Sequence, residues 1–281
     1  MNRYSVQRLG YALLSLIALG VVIPILFVIG IIIVRGLGAI NWRFLTTMPR
    51  DGMKAGGILP AIVGTLLLAA GTALAAIPVG VGGAIYLSEY ARDTWLTRAI
   101  RLSIVNLAGI PSVVYGLFGL ALFVLFLNLG TSILAGSLTL AIMTLPVIIS
   151  TSEEALRAVP VEFRTVSASL GGTRWQGVRR IVLPQALPGI ITGIILGLLR
   201  AGGETAPILF TVAVFFLPRL PRSPFDQTMA LPYHLYVIST QVPGMPQQVQ
   251  YGTALVLLSL VLSMNLIASL TRSYFRRRRQ W

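Results

Sequence analysis

Arg200 and Glu204 are the only charged residues between Ile181 and Leu217. They stand near the middle of that stretch, in Leu198-Leu199-Arg200-Ala201-Gly202-Gly203-Glu204-Thr205-Ala206-Pro207. A guanidinium is always charged, and its planar fork of donors suits the oxygens of an oxyanion. A carboxylate four residues on shares the same helix face. It would hold Arg200 when no anion is present, and would keep an anion from binding too tightly to leave, the balance that conduction requires. Gly202 and Gly203 weaken a helix here, and Pro207 cannot be a hydrogen-bonded interior residue. We therefore expect a break, with Thr205 as the N-cap of a half-helix running to Leu217 whose positive end faces the polar site. An Arg at the centre of a membrane helix costs about 2.5–3.5 kcal/mol on insertion scales, so such residues line a polar path or pair with a partner. The plainer alternative is a structural ion pair locking this segment to a neighbour.

The surroundings are those of a membrane protein. Of 281 residues, 56% are hydrophobic and 11% charged, and the charges are clustered. Leu9–Val34, Ala55–Ser88, Leu102–Ser152 and Gln227–Thr271 carry none. Because roughly 20 apolar residues cross a bilayer core, the sequence predicts an all-α, polytopic fold: one transmembrane domain over residues 1–281 with spans at about Leu9–Val34, Ile58–Leu87, Leu102–Leu127, Ser132–Ser150, Pro188–Leu217 and Gly252–Leu270. The apolar run after Arg3 and Arg8 is too long for the hydrophobic region of a signal peptide, about 7–15 residues, and reads as a retained first span. Asn41-Trp42-Arg43-Phe44-Leu45 has the character of a short interfacial helix. Pro78, Pro111 and Pro146 are expected to bend or break their helices. Near Pro111, Asn106, Ser112 and Tyr115 either line a cavity or make ordinary interhelical hydrogen bonds.

The formal net charge of +14 follows from topology and does not call for nucleic acid. With both termini inside, the cytoplasmic segments hold Arg3 and Arg8; Arg92, Arg98 and Arg101; Arg157, Arg164, Arg174, Arg179 and Arg180; and Arg272 with Arg276 to Arg279. Only Arg35, Arg43, Arg50, Lys54, Arg219 and Arg222 lie outside. This is the positive-inside distribution of a cytoplasmic-membrane protein, with the Arg276–Arg279 run facing anionic headgroups. The chain has no cysteine, and its one histidine, His234, cannot build a zinc site of the usual kind. No cofactor and no metal is expected. No Ser/His/Asp set or intramembrane carboxylate pair suggests an enzyme. The sole lysine, Lys54, follows Met53, so the chain has no Walker A loop.

The segment 153–184 is amphipathic. After Pro160, Val161–Leu170 reads as a helix, Gly171-Gly172 as its left-handed stop, and a second short helix leads to Pro184. This pattern resembles the coupling loop of ATP-binding-cassette importer permeases, whose spacing is Glu-Ala-Ala, three residues, Gly, nine residues, Ile, one residue, Leu-Pro. Gly171, Ile181, Leu183 and Pro184 match it, whereas Thr165-Val166-Ser167 stands in place of Glu-Ala-Ala. From Gly56 onward the chain is similar to the A-type permease subunits of Pst phosphate importers. The resemblance rests on Gly56-Gly57-Ile58, Ala61 to Leu66, Pro78-Val79-Gly80, Ala84 to Tyr90, Pro111 to Gly119, and above all Arg200 to Pro207.

The resemblance implies a type I importer permease fold with a cytoplasmic coupling helix. Arg200, Glu204 and Thr205 would line a phosphate path. Glu154, Arg164, Gly171, Ile181, Leu183 and Pro184 would couple to the ATPase. The implied partners are a second related permease, an ATPase dimer on the inner side, and an external phosphate-binding protein docking on the outer loop 218–251. Glu153, Glu154 and Glu162 either meet basic residues of that ATPase or form a solvated face. Two rivals stand beside this reading: an importer of sulfate or molybdate, and a proton-coupled transporter that needs no ATPase.

Overall fold

A computed structural model describes residues 3–169 and 171–277. Leu170, at the end of the expected coupling helix, and Arg278 and Arg279 of the basic run lie outside the described residues. The first helix, α1 (Arg3–Gly36), runs unbroken through Pro24. A short helix α2 (Trp42–Thr46) follows, started by Asn41, whose Oδ1 accepts the Phe44 N–H at 2.8 Å. Trp42 is exposed and Phe44 buried, the amphipathic split expected of an interfacial anchor. Strands β1 (Pro49–Arg50) and β2 (Ala55–Gly56) then close an antiparallel hairpin.

The second long helix, α3 (Leu59–Ile85), ends in a π-helical turn, Tyr86–Tyr90. Next come α4 (Trp95–Ala108) and α5 (Ser112–Gly119), the latter continuing as a π-helical segment to Phe126. These two are bent by 105° at Gly109–Pro111, so the stretch expected as the third span is not one straight helix. Tyr115 clasps the break by donating its hydroxyl to the Leu107 carbonyl at 2.7 Å.

Helix α6 (Ile133–Arg157) runs past its expected end at Ser150. It is followed by α7 (Val161–Ser169) and α8 (Arg174–Gly177), and a π-helical turn at Val178–Val182 leads directly into α9 (Leu183–Gly203). Pro184 therefore does not end a short helix. It occupies the first turn of a long one, where its missing N–H costs nothing. Pro78 and Pro146 likewise lie within continuous helices. The final helices are α10 (Ala206–Thr211), α11 (Leu231–Thr240) and α12 (Gln247–Arg277).

Five of these helices, with or without their π-turns, are long and apolar enough to cross a membrane, and the bent α4–α5 pair would make a sixth. The centre of the bundle is α6, gripped by α3 and α9. Ile148 is fully buried between two residues without side chains. A Cβ added at Gly80 of α3 would lie 2.7 Å from it, and one at Gly197 of α9 would lie 2.9 Å from it. Small residues at such contacts let membrane helices approach closely, which is where their association energy comes from.

The chain between α10 and α11 is not helical. It supplies the partners that the start of α6 lacks: Ile133 N–H donates to the Asp226 carbonyl and Leu134 N–H to the Pro224 carbonyl, both at 2.9 Å. Leu231 N–H reaches Thr65 Oγ1 at 2.8 Å, and Leu231, Val237 and Ile238 pack with Phe44, Ile58 and Ala61 in one core cluster.

Candidate functional site

The expected break at the glycine pair is present. The α9 helix stops at Gly203, and Glu204 is extended (φ −75°, ψ 134°) before α10 begins. Nothing lies within 4 Å of a Cβ added at Gly202 or Gly203, so the absence of side chains there serves the backbone and not a close contact. Arg200 and Glu204 form an ion pair, Nε to Oε1 at 3.6 Å, although Glu204 has left the helix.

Two details differ from the sequence expectation. The half-helix ends at Thr211 and not at Leu217, because the following backbone pairs with Thr228: Val214 N–H donates to the Thr228 carbonyl at 3.2 Å and Thr228 N–H to the Val212 carbonyl at 3.4 Å. Thr205 occupies the N-cap position, but its side chain accepts no capping hydrogen bond. A helix of one and a half turns sums few peptide dipoles, so the positive charge at this break is that of Arg200.

The side chains of Arg200 and Glu204 are 37% and 20% exposed. Glu204 borders a void of only about 10 Å³ beside Thr65, Ala69, Leu140 and Ile208. The guanidinium is thus presented at an open flank and is not enclosed by the described residues. Tyr115 joins Ala201 and Ile208 in the core cluster behind it, so the α4–α5 break and the α9–α10 break back onto each other.

At the other end of the bundle, α7 ends as the sequence expects. Gly171 has φ +73°, and Gly172 N–H donates to the Ser167 carbonyl at 3.0 Å. The following α8 opens with a capping box. The Gln176 N–H donates to Thr173 Oγ1 at 3.3 Å, and the Thr173 N–H donates to Gln176 Oε1 at 2.9 Å. Ile181 and Leu183 are half-buried at the junction with α9, on either side of buried Val182.

The acidic residues divide. Glu154 and Glu162 are exposed. Glu153 is not available to a partner: it turns inward and binds Arg101 Nε at 2.8 Å and Arg157 Nη2 at 2.7 Å. A carboxylate this buried must be paired by its own chain to offset its desolvation. Arg164 also turns inward. Its guanidinium spans Glu89, with Nη2 to Oε1 at 2.9 Å and Nε to Oε2 at 3.2 Å, and Nη2 donates as well to the Leu156 carbonyl at 2.9 Å. Sequence reasoning missed the pairing of Arg164 with Glu89. Glu89 sits in the Ala84–Tyr90 stretch that carries part of the resemblance, but nothing local links it to a residue so far along the chain.

A lipid-soluble helical bundle, a cation at a broken span and an amphipathic helix–glycine–helix at one end together define an importer permease of the type I fold. The chain belongs to the family described as binding-protein-dependent transport system inner membrane component, which it matches over residues 76–281. It is 33% identical over 282 residues to the probable ABC transporter permease protein YqgI of Bacillus subtilis, covering 95% of each chain. It is 36% identical over 263 residues to the phosphate transport system permease protein PstA 1 of Mycobacterium tuberculosis, covering 92% of this chain and 84% of that one. Among solved structures, it superposes on a bacterial ABC transporter involved in the import of the acidic polysaccharide alginate with a TM-score of 0.69. That match has 14% identity and covers 97% of this chain and 99% of the other. The inward-facing MetNI methionine ABC transporter gives a TM-score of 0.62 at 17% identity, over 78% of this chain and 97% of that one. The protein is a multi-pass membrane permease.

Proposed function

We propose that this chain is the A-type permease subunit of an ATP-driven importer that carries inorganic phosphate across the cytoplasmic membrane. The observation that carries the reading is Arg200, a fixed cation at the break of a spanning segment, tethered by Glu204 and open on one flank. The Mycobacterium tuberculosis relative named for phosphate transport supports the choice of oxyanion. The open flank supports a second, related permease completing the path around Arg200.

Two ATPase subunits would dock on α7 and the Gly171 turn, since this chain has no nucleotide-binding loop of its own. An external phosphate-binding protein would dock on the 218–251 side, and both termini would be cytoplasmic. Glu154, exposed at the end of α6, and Ile181, Leu183 and Pro184, at the root of α9, would border the docking helix. In the transport step, ATP binding would close the ATPases and move α7, and the two permeases would part on the outer side to receive phosphate. The anion would exchange its water for the Arg200 fork while Glu204 swings away, and Glu204 would reclaim the guanidinium as phosphate leaves.

The test is reconstitution of the chain with its candidate permease, ATPase and binding-protein neighbours in liposomes. ATP-dependent uptake of phosphate, unaffected by excess sulfate or molybdate, is the expected result. Uptake competed equally by sulfate or molybdate would overturn the substrate assignment. Uptake by this chain alone, driven by a proton gradient, would overturn the mechanism.

A further inference from the structure

Arg164 and Glu89 are 75 residues apart in sequence, and their side chains are only 27% and 6% exposed. Arg164 is on α7. Glu89 is in the π-helical turn that ends α3, and Ser88 Oγ adds a 3.0 Å hydrogen bond to the same carboxylate. The guanidinium also donates to the carbonyls of Leu156, in the last turn of α6, and Val159, two residues beyond its end. One side chain thus ties three elements: the surface helix, the end of α3 and the end of α6.

The packing around it is loose. A cavity of about 310 Å³ opens beside the pair, lined by Ser167, Gly172, Thr173 and Gly177 of the α7–α8 turn. On α7, Phe163 packs onto the core cluster that Leu156, Val159 and Val182 share with Ala84 of α3, and Arg174 of α8 lies over the Tyr90 ring of the π-turn, 5.2 Å from its centroid. A bidentate pair between a guanidinium and a carboxylate fixes distance and angle together, unlike a greasy contact that can slide.

We propose that the Arg164–Glu89 pair is the positioning link that makes α3 follow α7. It rests on the reading of α7 as the surface on which the ATPase docks. A displacement of α7 is passed to the π-turn at Glu89 and along α3, which grips α6 through Gly80 and Ile148. Without the pair, the described residues join the hairpin to α3 through apolar packing and the Arg174–Tyr90 stacking; these contacts can slide, and α7 is free to rock into the adjacent cavity. Thr165 stands where the family spacing has glutamate, and the carboxylate that Arg164 binds comes from Glu89, at the end of α3.

The reconstituted complex tests this through the number of phosphate ions taken up per ATP hydrolysed. In Arg164→Ala and Glu89→Gln that ratio should fall at least tenfold. Arg164→Lys, which keeps the charge but not the fork, should fall between. The exchanged pair Arg164→Glu with Glu89→Arg should recover most of the ratio. The chain contains no cysteine, so R164C/E89C, bridged by a bifunctional disulfide-forming thiol reagent about as long as the two side chains, provides an independent arm if single variants assemble poorly: coupled when bridged, uncoupled when the bridge is reduced. An unchanged ratio in Arg164→Ala and Glu89→Gln, or equal ratios in the bridged and reduced double variant, would overturn the proposal. Failure of the docking reading is separable. It would show as ATPase retention and hydrolysis indifferent to bulky substitutions on the exposed α7 residues Glu162, Thr165 and Ser169.

Discussion

Arg200 and Glu204 were legible as a pair because charge is rare in an apolar stretch and spacing places them together. Their consequences can be separated by substitution. Arg200→Gln removes the cation and leaves Glu204 without its ion-pair partner. Phosphate uptake by the reconstituted complex should drop at least tenfold while copurification with the partners is unchanged; uptake at the native level would take Arg200 out of the path. Glu204→Gln keeps the cation and removes its competitor. The half-saturating phosphate concentration and the maximal rate should then both fall, because the anion is held and released slowly. His234 offers a prediction of a different kind. It lies in α11, outside the spanning helices. It is 2% exposed, its Nδ1 has no hydrogen-bond partner, and burial pulls its pKa from 6.5 down to about 4. The folded protein therefore binds the proton less readily than the unfolded chain. Its stabilising effect is complete above pH 6.5 and is lost as pH falls towards 4, at about 1.4 kcal/mol per pH unit. The melting temperature in detergent should decline over that interval, and His234→Phe should flatten the decline relative to the native chain.

Among the elements, those best read from the sequence are the ones whose residue types leave the backbone little choice. Charge-free runs gave α1, α3, α6 and α12, and Gly202-Gly203 before Pro207 gave the interruption of α9. Gly171 gave the end of α7, and there the prediction is steric. A side chain at φ +73° costs roughly 1–2 kcal/mol, and nothing within 4 Å would clash with its Cβ. Gly171→Leu should therefore leave the bundle folded but displace α8, lowering uptake per ATP; an unaltered ratio would show that the turn plays no part in coupling. Hydropathy misplaced the end of the half-helix because it weighs side chains and ignores where backbone donors must go. The stretch after Thr211 is apolar, yet its backbone pairs with Thr228 and does not continue the helix. Hydropathy alone also failed to register the 105° bend at Gly109–Pro111, which Pro111 announced. The pairs Arg164–Glu89 and Arg101–Glu153 join residues 75 and 52 positions apart, and no local pattern announces them.

For the molecule as a whole, the α9 segment joins a cation at one end to a cluster of inward ion pairs at the other, with α3, α6 and α9 as the stiff rods between. Helix α1 takes no part in that frame. None of its most apolar window is buried within the chain, and its closest association is with α12. A helix without tertiary cover owes its backbone hydrogen bonds to the hydrocarbon around it, since no water competes for them there. Its persistence is then a property of the solvent and not of the fold. Deuterium exchange on the protein in thick bilayers and in short-chain micelles should differ most at α1, while the α6 amides keep their protection in both. Leucine-to-valine exchanges along its length should pass unnoticed by the remainder of the bundle.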